Sequence, residues 1–69
     1  MVTMDAFQAG DVYIDYPSEE AKFRYEKESN KVFRRFYGQA EREILHSSEL
    51  YNEAISAGTQ ITKEKYYED

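Results

Sequence analysis

Two apolar stripes with the same spacing lie on either side of a single glycine, Gly38. Ala21, Tyr25, Val32 and Phe36 recur at steps of 4, 7 and 4, and Ala40, Ile44, Tyr51 and Ile55 repeat those steps. Such spacing puts each set on one face of a helix with a 3.6-residue period. In one unbroken helix the second stripe would be rotated by roughly 100° from the first. A bend at Gly38 lets both stripes face each other, and glycine costs ~1 kcal/mol relative to alanine inside a helix. The spacing therefore predicts a mainly α fold, an antiparallel helical hairpin over about residues 18–37 and 39–57.

The ends of these segments carry matching signals. Ser18 can cap the first helix, with Pro17 before it and Glu19 and Glu20 in the first turn, where the helix dipole favours acids. Gly58 suits a left-handed C-terminal cap of the second. Residues 11–16, Asp-Val-Tyr-Ile-Asp-Tyr, alternate and read as an extended segment with one buried side. The C-terminal segment admits two readings. It pairs with residues 11–16 as a two-stranded ribbon over 59–65, giving an α+β alternative, or Thr62 caps a last helical turn with Glu64 near its start. Residues 1–9 are expected to fray, and residues 1–69 form a single small domain.

A 69-residue chain has a marginal core, and this one has no cysteine, so neither a disulfide nor a thiolate metal site supports it. The remaining supplement is a second protein surface: self-association, most simply a homodimer, or a partner. No apolar run approaches the ~20 residues of a membrane helix. The first residues, Met1 to Asp11, have neither the basic nor the apolar region of a signal peptide. No membrane partner is expected, and a cytoplasmic location is.

The net charge of −5 is unevenly spread. Residues 1–20 carry five acids and no base, residues 21–42 seven bases and three acids, and residues 43–69 six acids and two lysines. On the first expected helix Arg24, Lys27, Lys31, Arg34 and Arg35 share a sector, with Phe33 and Tyr37 nearby. Such a ridge suits a phosphate backbone with bases stacked on the rings, or the carboxylates of a protein. Glu20 and Glu28 interrupt it, and an acidic chain repels a polyanion at long range, so a protein partner is preferred over nucleic acid.

No catalytic or cofactor pattern stands out. Glu43 and His46 have the Glu-x-x-His spacing of a di-metal bundle, but one chain lacks the second such pair, and both residues lie off the apolar stripe. His46 is the only imidazole, and it has no convergent serine nucleophile. Eleven aromatics are more than a two-helix core can bury, so either residues 1–17 and 59–69 wrap the hairpin and cover Phe23, Phe33, Tyr13, Tyr37, Tyr66 and Tyr67, or some of these form an interface. The sequence thus points to a small acidic, non-catalytic interaction module, an adaptor or inhibitor. Its expected partner-binding residues are Arg24, Lys27, Lys31, Arg34, Arg35, Phe33 and Tyr37, and no metal or cofactor is expected. A nucleic-acid-associated regulator is the alternative.

Overall fold

The four residues of the first stripe are two cross-strand pairs: Ala21 faces Phe36, and Tyr25 faces Val32. A step of 4 keeps a side chain on one face of a strand as well as of a helix. The step of 7 from Tyr25 to Val32 is a crossing of the turn at residues 27–30, where Asn30 takes the left-handed conformation with φ of 59°. In the computed structural model, which describes residues 2–68, the helical hairpin is replaced by a five-stranded antiparallel sheet with three short helices. The chain runs through α1 (Met4–Ala9), β1 (Val12–Tyr16), a 3₁₀ turn (Pro17–Glu19), β2 (Ala21–Glu26), β3 (Lys31–Phe36), β4 (Arg42–Ile44), α2 (Glu49–Ala57), β5 (Thr59–Ile61) and α3 (Lys63–Tyr67). The strand order is β4-β3-β2-β1-β5.

Alternation decides which residues go inside. Val12, Ile14, Ala21, Phe23 and Val32 are fully buried on one face of the sheet, here called the inner face. Phe23, which a helical reading places opposite the stripe, is one of its largest buried side chains and packs on Tyr51 of α2, with ring centroids 5.8 Å apart. Phe7 of α1 meets Tyr25 edge-on at 5.3 Å. The segment expected to fray carries α1, and the Val2 amide donates to the Ile55 carbonyl at 2.9 Å. Met1 lies outside the described residues.

Three further expectations are corrected. The helix-start signal at Pro17 and Ser18 makes only one 3₁₀ turn, closed by Glu20 in the left-handed region before β2 begins. The second helix starts at Glu49 and not near residue 39, because Ser48 caps it through the Tyr51 amide while Arg42–Ile44 pair with β3. The two-stranded ribbon does not stand alone: β1 pairs β5, with Tyr13 opposite Ile61, as two strands of the larger sheet, and Thr62 then caps α3.

The two turn glycines have different reasons for being glycine. Gly38 lies between β3 and β4 with φ of 72°, and a Cβ there would meet nothing within 4 Å. Gly58 is not left-handed, its φ being −82°. It is needed for space: a Cβ would sit 2.5 Å from the Ala54 carbonyl oxygen and 2.9 Å from both the Asp15 carbonyl oxygen and Ile14 Cγ2. Gly38→Ala should cost about 1 kcal/mol through backbone strain alone. Gly58→Ala should cost about 1–3 kcal/mol because two backbone atoms must move. Urea denaturation of both variants checks the order, which reverses if Gly58 is a conformational cap.

Candidate protein-interaction surface

The opposite, outer face of the sheet gathers Tyr13 and Asp15 of β1, Lys22, Arg24 and Glu26 of β2, and Lys31, Phe33 and Arg35 of β3, as the register dictates. Helix α3 lies across this face, and Tyr66 is its fully buried anchor, 5.4 Å from the ring of Tyr13. Arg24 is the hub beneath it. Its guanidinium donates to Glu26 at 2.8 Å and to both oxygens of Glu41, at 2.8 and 3.2 Å, while stacking 4.1 Å over Phe33. Glu41 also accepts from the Tyr66 hydroxyl at 2.8 Å.

The electrostatics follow from this chain of bonds. Burial disfavours the charge on Arg24, but the hydrogen bonds to Glu41 and Glu26 outweigh it and hold the guanidinium above its ordinary value. Burial likewise opposes ionisation of Glu41, and the bonds from Arg24 and Tyr66 win, so its carboxyl stays below the usual range. Glu26 is lowered by Ser29 and then by Arg24. Burial raises Tyr66, and the bond to Glu41 raises it further. Nearby, Tyr37 donates to Asp15 at 2.5 Å, and burial followed by that bond pushes its phenol up to about 12.

The C-terminal end of α3 is held by two cations that face each other across β2 and β3. Lys22 donates to the carbonyls of Lys65 and Glu68 at 2.7 and 2.6 Å, and Arg35 to the carbonyl of Tyr66 at 3.1 Å. Carbonyls at a helix end have no partner within the helix, and the dipole makes that end negative. Lys27, in the β2–β3 turn, serves α1 in the same way, through the Gln8 carbonyl.

The basic residues named from sequence thus do not form one ridge. Arg24, Lys31, Phe33 and Arg35 share the outer face, Arg34 lies on the inner face, and Lys27 is in a turn. Exposed large apolar side chains are Met4, Tyr37, Leu45 and Tyr67. Glu43 sits on edge strand β4 and His46 in the loop after it, where its Nε2 bonds the Asn30 carbonyl at 2.7 Å, so the Glu-x-x-His spacing has no helix to act on. Among the described residues no group of His, Asp and Glu could hold a metal ion.

Known proteins match this sheet wrapped by short helices over most of its length. The family described as Tis1 immunity protein matches residues 1–69. The chain belongs to this family. It is 38% identical over 64 residues to the immune protein Tis1 of Pseudomonas aeruginosa (strain UCBPP-PA14), covering 90% of this chain and 83% of the relative. It is also similar to a chain in the crystal structure of the complex between the Type VI effector Tas1 and its immunity protein. The TM-score there is 0.89 at 35% identity, over 96% of this chain and 91% of that one. This solved fold independently overturns the mainly helical expectation.

Sequence reasoning missed Lys22, Glu41 and Arg42 in this Tis1-family chain, and it named Tyr66 only as one of the surplus aromatics. The alternation of Ala21-Lys22-Phe23-Arg24-Tyr25-Glu26 was the available signal, since it places Lys22, Arg24 and Glu26 on one strand face. Glu41→Gln should destabilise the fold by about 1–2 kcal/mol by weakening its bonds from Arg24 and Tyr66. Because the folded-state pKa of Glu41 is depressed, its contribution is complete above the ordinary carboxylate value and is lost as pH falls through the depressed one. Thermal midpoints measured from pH 6 to pH 3 should therefore fall more steeply for the parent than for Glu41→Gln.

Proposed function

We propose that this chain is an immunity protein that binds a type VI effector of the Tas1 kind and neutralises it by occupying part of its surface. The observation that carries this is the similarity, over 96% of the chain, to a chain of the effector–immunity complex. Membership of the Tis1 family over residues 1–69 supports it. The chain acts without chemistry of its own, as an inhibitor rather than an adaptor. On this reading the homodimer expected from the small core gives way to a heteromeric complex, in which the effector supplies the second surface. The nucleic-acid reading loses its support, because Arg24, Lys27 and Arg35 are engaged within the fold. Among residues 2–68 no helix is long and apolar enough to cross a membrane.

Co-expression with the Tas1-type effector of the same organism is the direct test. The chain should restore growth of cells producing the effector, and the purified pair should co-elute as one complex. With a net charge of −5, its association should slow as salt rises if the effector surface is basic. Co-expressed cells that stop growing, with two separate elution peaks, would sink the proposal.

A further inference from the structure

The sheet contains two like-charged cross-strand pairs, and only one of them is satisfied. On the outer face Lys22 opposes Arg35, and both donate to carbonyl oxygens at the negative end of α3. On the inner face Arg34 opposes Arg42 across β3 and β4. Like charges directly opposite in an antiparallel pair destabilise it. Among the described residues neither side chain makes a hydrogen bond or an ion pair, and the Nε of Arg34 is buried with no partner. The principal helix contacts are with β1 and β2, so the β3–β4 half of the sheet is the less covered. The guanidinium of Arg34 lies 4.6 Å over the ring of Phe36, which fixes its plane, and Arg42 is exposed beside it.

The geometry points to the Arg34–Arg42 pair as a receptor for one carboxylate of an acidic side chain on the protein partner. Two guanidiniums on adjacent strands present planar forks to a single anion, and the α3 carbonyls show what the same kind of pair takes within this fold. An oriented, partly desolvated arginine on an aromatic ring is also a frequent interface anchor. The pair is a local positive contact on a chain whose net charge is −5. The inference rests on the proposed function, because the carboxylate is taken to be the effector's.

The test uses the full chain and the Tas1-type effector, with Kd measured by calorimetry at 150 mM salt for Arg34→Gln, Arg42→Gln, the double variant and Arg34→Lys. Each glutamine should weaken binding by about 10- to 100-fold. The double variant should lose less than the product of the two, because both arginines hold one group. Arg34→Lys should fall between parent and Arg34→Gln. Arg42→Gln should raise the thermal midpoint of the free protein, by removing a repulsion, while weakening the complex, and a purely structural arginine would not give these opposite signs. Circular dichroism identifies any variant that fails to fold, and exposed Arg42 then decides alone. Parent affinity retained within twofold by Arg42→Gln and the double variant overturns the inference and leaves the proposed function standing. A parent that does not bind the effector removes the function instead. Oligonucleotide binding, or a dimer in sedimentation, that disappears on Arg42→Gln assigns the pair to another occupant and also overturns it.

Discussion

The guanidinium of Arg24 ties together parts of the chain that would otherwise touch only weakly. It sits on the outer face of the central strand, bonds both oxygens of Glu41 in the segment before β4, and through that carboxylate reaches the hydroxyl of Tyr66 on α3. A buried charge is tolerated only when its partners are close and well placed. Here two carboxylates and an aromatic ring surround the half-buried Arg24, so the outer face takes a paired charge where the inner face takes the fully buried Phe23. Removing Glu41 would loosen the strand edge and the covering helix together, since the same side chain serves both.

Three other basic residues follow a related rule. Lys22, Arg35 and Lys27 meet the exposed carbonyls at the ends of α3 and α1, where short helices have unpaired acceptors and negative dipole ends. The positively charged middle of the sequence is largely what secures the terminal segments to the sheet. The acceptors are backbone carbonyls rather than the acids of the flanking segments.

What could be read from the sequence depended on which periodicities are ambiguous. Steps of 4 fit both a strand and a helix, so Ala21, Tyr25, Val32 and Phe36 suggested helices while belonging to a hairpin. The residue that separates the two readings is Phe23, two positions from Ala21 and from Tyr25, which makes sense only with a period of 2. The α2 segment was legible in part, because Tyr51 and Ile55 have helical spacing, but its start was not, because the Ser48 cap went unread. An interaction protein was expected from surplus aromatics, yet Phe23 and Tyr66 are fully buried and Tyr13 packs on Tyr66. The preference for a protein partner agrees with the family, but the reason given for it was only partly sound. Arg34 was named from sequence as a partner-binding residue, but its place opposite Arg42 could not be read, because pairing β3 with β4 requires knowing that residues 31–36 are a strand.

The strand order gives the molecule a sequence of assembly. β1 to β4 are joined by short connections and pair as neighbours, so their contacts close small loops. β5 joins β1 from the far end of the chain, Ile61 to Tyr13, after the chain has passed out to β4 and back through α2. Loop closure of this span costs more entropy, and non-local pairing slows folding. The meander therefore forms first, and β5 with α3 arrives last as a closing clasp. The Arg34–Arg42 edge belongs to the early part, so it is complete before the clasp shuts.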